Sequence, residues 1–77
     1  MKHLVSHLAR GLAREPGRVR VREHVEHGRT VLELSVAPSD RGRVIGREGR
    51  TASALRTLLD ALAARRGSAV SLEILDQ

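Results

Sequence analysis

Between Arg41 and Thr51 the chain runs Arg41-Gly42-Arg43-Val44-Ile45-Gly46-Arg47-Glu48-Gly49-Arg50-Thr51, with three glycines and four arginines in eleven residues. Glycine permits positive φ and lets backbone approach a ligand closely, and the planar guanidinium fork matches phosphate oxygens. A helix opening directly after Gly49 would add free N–H groups and the positive end of its dipole. The chemistry of this stretch is therefore anion binding. Two familiar phosphate loops fail by counting. A Walker A motif ending at Gly49-Arg50-Thr51 would need glycine at Val44 and lysine at Arg50. A dinucleotide fingerprint would need glycines at a different spacing, following a strand and not a helix.

Other chemistry-bearing residues do not assemble into a site. His3 and His7 are spaced i, i+4, and His24 and His27 flank a turn, but the chain has no cysteine and no convergent carboxylate accompanies them. They read as solvated surface histidines, so no metal and no cofactor are expected. No Ser, His and acid set suggests catalysis, and so short a chain encloses little pocket for a small-molecule substrate. An enzyme is not expected.

The composition agrees with an anionic partner. Fourteen Lys and Arg, thirteen of them Arg, face nine Asp and Glu in 77 residues, for a formal charge of +5. That balance favours a polyanion. Aromatic residues are absent, so bases cannot stack on rings, which argues against RRM and cold-shock folds and points to weak, salt-dependent binding. No apolar run approaches the roughly 18 residues that cross a bilayer, and Met1-Lys2-His3-Leu4 does not open a signal peptide, so a cytoplasmic protein with no membrane partner is expected. The length suits one domain over residues 1–77.

The elements that must position the glycine stretch follow from periodicity. Leu4, Val5, Leu8 and Leu12 predict a helix over residues 2 to 14, stopped by Glu15-Pro16-Gly17. Alternation of Val19, Val21 and Val25 with Arg18, Arg20 and Arg22 predicts a half-buried strand from Arg18 to Glu26 whose arginines form a solvent face. His27-Gly28 reverses the chain into a second strand, Arg29 to Ala37, with Leu32, Leu34 and Val36 inward. Ser39 and Asp40 are good caps for a short helix reaching Ile45. Leu55, Leu58, Leu59 and Leu62 predict a long helix from Arg50 to Arg66 with leucines in the core. Val70, Leu72 and Ile74 mark a last strand, leaving Asp76 and Gln77 as a tail. The order α-β-β-α-α-β with a right-handed crossover predicts an α+β fold, a three-stranded mixed sheet with helices packed on one face.

Val44-Ile45-Gly46-Arg47-Glu48-Gly49-Arg50 resembles the I-G-x-x-G signature of KH domains, and the element order resembles their type II arrangement. With Val36-Ala37-Pro38 before the short helix and Gly49-Arg50-Thr51 opening the long one, nearly the whole chain resembles the bacterial KhpA family. Where that family carries an apolar residue, Arg41 stands here. The resemblance implies cytoplasmic binding of single-stranded RNA through the G-x-x-G loop, and action as an RNA chaperone or post-transcriptional regulator. It also implies a homodimer or a heterodimer with the companion protein KhpB, and in some bacteria a link to cell shape and cell wall biogenesis.

Carried over by position, Gly46 and Gly49 shape the loop, Arg47 meets phosphate and Glu48 is its variable neighbour, repelling phosphate yet favouring the helix dipole. Arg43, Arg47 and Arg50 are expected to surround the phosphate track, with Thr51 opening the helix. Bases are expected in an apolar groove formed by Val44 or Ile45 and the second strand, with room for about four nucleotides. Two other classes compete. A helix-turn-helix DNA-binding protein would present Ser53, Arg56 and Thr57 to a groove, and a protein-protein adaptor would use the domain for dimerisation or docking.

Overall fold

The computed structural model describes residues 1–75; the expected tail Asp76-Gln77 lies outside the described residues. Helix α1, Lys2–Leu12, ends two residues before the expected boundary, where Ala13 turns extended. Its buried positions are Val5 and Ala9, while Leu12 is exposed. Of the expected stripe Val5 is buried and Leu8 packs against the core, while Ala9 takes the buried place next to Val5 on the helix face.

A 3-10 turn over Pro16–Arg18, closed by Val19 N–H donating to the Pro16 carbonyl at 3.1 Å, absorbs the start of the expected first strand. Strand β1 is Arg20–Glu26. The reversal His27-Gly28 has φ of 49° and 76°, the doubly positive pattern of a tight type I′ hairpin. Strand β2, Arg29–Ser35, pairs antiparallel with β1, Val21 opposite Leu34 and Val25 opposite Thr30. Strand β3, Val70–Ile74, lies parallel on the other side of β2, Leu32 opposite Leu72. The sheet order β1-β2-β3 makes β2 central and leaves β3 on an edge.

Leu32 and Leu34 are fully buried and pack with Val5, Val44, Leu59 and Leu72. The opposite sheet face carries Arg20, Arg22, Glu26, Arg29 and Glu73, all exposed. Val25 does not join the core: 70% of it is exposed, because β1 is an edge strand whose hairpin end runs past the helical layer.

Helix α2, Arg41–Ile45, packs against helix α3, Arg50–Arg65, which lies against β3, and Val44 of α2 joins the core beside Leu32 and Leu34. Helix α3 stops at Gly67, φ 67°, where Ser68 N–H donates to Ala63 O at 2.9 Å and Gly67 N–H to Ala64 O at 3.1 Å. This left-handed cap satisfies carbonyls that the last turn would otherwise orphan. The architecture is the α+β mixed sheet with helices on one face that the pattern of elements predicts.

Candidate nucleic-acid interface

Helices α2 and α3 meet at Gly46. Its φ of 81° with ψ of 170° is a conformation open essentially to glycine alone. The contact is also tight: a Cβ there would stand 2.7 Å from Thr51 Cβ and 2.8 Å from Thr51 N. Thr51 is thus the wall against which the loop closes. Glu48 (φ 57°, ψ 26°) and Gly49 (φ 74°, ψ 12°) are both left-handed, and Gly49 N–H donates to Gly46 O at 3.1 Å. The chain turns within four residues and delivers Arg50 to the first turn of a 16-residue helix that no side chain caps.

Three arginines surround this turn in different states. The Arg47 side chain is exposed and, among the described residues, has no hydrogen bond or ion pair. Arg50 donates to Glu48 Oε2 at 3.4 Å with both side chains mostly in water, a pair worth about 0–1 kcal/mol. The acid of the loop is therefore partly offset by its neighbour, at little cost to release. Arg43 is turned away from the loop, its Nε 3.6 Å from Asp40 Oδ1.

Asp40 was expected as a helix cap, and its role differs. No side-chain cap bond forms; instead the carboxylate, fully buried, accepts the N–H groups of Arg14 and Glu15 at 3.0 Å each. These donors are left over where the chain leaves α1, and one carboxylate satisfies both while its charge is balanced by Arg43. The two backbone bonds hold its pKa below the ordinary 3.8, against the opposing effect of burial. Asp40 thereby ties the exit of α1 to the start of α2. Position alone could not reveal this, because an aspartate before a helix reads first as a local cap.

Val44 is wholly buried and supports the loop from within, whereas Ile45 is half-buried and open to a ligand. β2 is flanked on both sides, and of the two edge strands the one packed against α3 is β3. Arg41 connects α2 to it, its Nε donating to the Leu75 carbonyl at 3.1 Å. That bond gives Arg41 a structural place at a position where an apolar residue was expected.

The histidines stay apart from this site. His24 shares a hydrogen bond of 2.8 Å with Glu26 on the bare sheet face. That bond, with help from Glu33 and Glu73 and against partial desolvation, raises its pKa above 6.5. Among the described residues no group of His, Cys, Asp and Glu is placed to hold a metal, and no helix is long and apolar enough to cross a membrane.

Two helices joined at G-x-x-G over a three-stranded mixed sheet define a KH domain. The comparison with known families agrees: residues 2–74 match the description "KhpA/KhpB, KH domain". Among curated proteins, "RNA-binding protein KhpA" of Halalkalibacterium halodurans is 47% identical over 99% of this chain and all of the relative. The protein of the same name in Treponema pallidum is 44% identical over 97% of this chain and 94% of the relative. That of Chlamydia pneumoniae is 42% identical over the whole chain and 99% of the relative. The chain belongs to the KhpA/KhpB KH-domain family, which is defined by a binding domain and not by a reaction.

Proposed function

We propose that this chain binds single-stranded RNA, with the ribose-phosphate strand held at the Gly46–Gly49 turn. The observation that carries the reading is that the turn faces outward with Arg47 exposed and unpaired among the described residues. The family, whose relatives are named for RNA binding, supports it. Arg47 supplies the charge. Arg50 becomes available by releasing Glu48, and Ile45 gives the bases an apolar flank on the side of β3. Arg43 contributes by fixing Asp40, and Val44 by holding the turn rigid.

With no aromatic side chain in the protein, grip comes from phosphate contacts that carry little sequence information. A loose, sequence-tolerant hold on a short segment is what an RNA chaperone or post-transcriptional regulator in the cytoplasm requires. Self-association, or pairing with KhpB, would raise avidity by presenting two such loops.

The test is binding of short single-stranded RNA and of duplex DNA at several salt concentrations, for the native protein and for Arg47→Asp. Expected is salt-sensitive RNA binding that Arg47→Asp weakens at least tenfold with unchanged melting temperature. Preference of the native protein for duplex DNA would favour the helix-turn-helix alternative, and indifference to both would favour an adaptor.

A further inference from the structure

We propose that the outward face of α1 and the arginines at its exit form a second RNA-contacting surface, which takes up the strand on the α2 side of the Gly46 turn; the proposal rests on the RNA reading above. Residues 1–22 carry six Lys and Arg against the single acid Glu15, whereas residues 23–77 carry eight Lys and Arg against eight Asp and Glu. The whole formal charge of +5 therefore resides in a segment that contributes nothing to the G-x-x-G turn. A charge so concentrated attracts a polyanion to that segment first.

Some of these cations are already engaged. Arg20 donates to Gly17 O at 2.7 Å and to Val19 O at 2.9 Å, bracing the 3-10 turn, and Arg22 stands opposite Glu33. Arg10, Arg14 and Arg18 are exposed, and among the described residues their side chains have no hydrogen bond or ion pair. Arg29 and Arg56 differ from them, since their guanidinium groups donate to the β3 carbonyls Val70 O at 2.8 Å and Leu72 O at 3.3 Å. An unengaged guanidinium gives up no internal partner on meeting a phosphate, and each phosphate it neutralises releases counterions.

The fold gathers these groups on one side. Val5 and Ala9 of α1 are buried and Leu8 packs against the core, so the opposite face of the helix holds His3, His7 and Arg10, all exposed. No acid interrupts α1, and Glu15 just beyond it accepts from Ser39 Oγ at 3.4 Å. Asp40 joins this face to the turn: its Oδ1 accepts the Arg14 N–H at 3.0 Å and lies 3.6 Å from Arg43 Nε. A strand held at Arg47 and running back over α2 thus meets Arg43, then Arg14, then Arg10. The occupant is nucleic acid and not a lipid surface, because an interfacial helix inserts an apolar face and that of α1 is given to the core.

The experiment measures binding of oligouridylates of four and twelve nucleotides across a salt series to the native protein, to R10Q/R14Q and to R22Q/R66Q, which removes the same charge elsewhere. Expected for R10Q/R14Q is unchanged binding of the four-mer and roughly tenfold weaker binding of the twelve-mer. The salt slope for the twelve-mer should fall by about 1.4, the share of two phosphates on a single strand. R22Q/R66Q should bind both lengths as the native protein does, and R10K/R14K, which keeps the charge, should recover most of the loss. If R10Q/R14Q lowers the melting temperature, Arg10→Gln alone should show the same length-selective loss at about half the slope change. Native twelve-mer binding in the folded α1 variants, or equal losses in R22Q/R66Q, would overturn the proposal while leaving the loop reading intact. So would binding to vesicles of anionic phospholipid that R10Q/R14Q abolishes while twelve-mer binding stays native. Failure of the native protein to bind either length would overturn both.

Discussion

Asp40 shows how a single side chain can serve a site it never touches. It is buried, holds two backbone N–H groups at the exit of α1, and restrains Arg43 on the helix that leads into the Gly46 turn. Replacement by asparagine keeps the volume but turns one acceptor into a donor facing an N–H, a repulsion in a buried place. Asp40→Asn should lower the melting temperature by roughly 10 °C in thermal unfolding. The pH dependence follows from the same geometry. The folded pKa lies below the ordinary 3.8, so the stabilisation is complete above that value and is lost as pH falls through the folded pKa. The native protein should lose stability in that acid window more steeply than Asp40→Asn. At this scale much was hidden. The glycine spacing and Arg47 announce themselves in the chain, but the reach of Asp40 to residues 25 and 26 positions away, and the arginine bonds to the β3 edge, are tertiary facts with no local signature.

The elements were more legible than their faces. Alternation and helical spacing located the three strands and the two longer helices, and the capping residues and Gly46 bounded the short one, because the apolar residues that recur with each period supply the core. What periodicity does not determine is the rotation of a helix when apolar positions exceed the width of one stripe. In α3 the buried line is Ala52, Leu55, Leu59 and Ala63, and Leu58 stands 41% exposed. Ala52 and Ala63 share the face of Leu55 and Leu59, a line that counting leucines does not capture. Leu59→Ala should cost about 2–5 kcal/mol in denaturant unfolding, and Leu58→Ala less than about 1 kcal/mol. Comparable losses from both would mean that α3 is rotated from the placement described.

For the molecule as a whole, the charge of +5 is not spread evenly in effect. On the bare sheet face Arg22 stands in register with Glu33 and Glu73, and His24 pairs with Glu26. Around the G-x-x-G turn and along the β3 edge, Arg47, Arg56 and Arg29 have no carboxylate partner among the described residues. The side of the protein built from α2, α3 and β3 is therefore where an anionic strand gains most, and the opposite face is where it gains least. Backbone amide shifts on titration with a four-nucleotide single-stranded RNA test this most directly. The largest changes are expected at Gly46, Arg47, Glu48, Gly49 and Arg50, with the bare-face residues Arg22, His24 and Glu33 still. Shifts centred on that bare face, with the turn unmoved, would contradict the account.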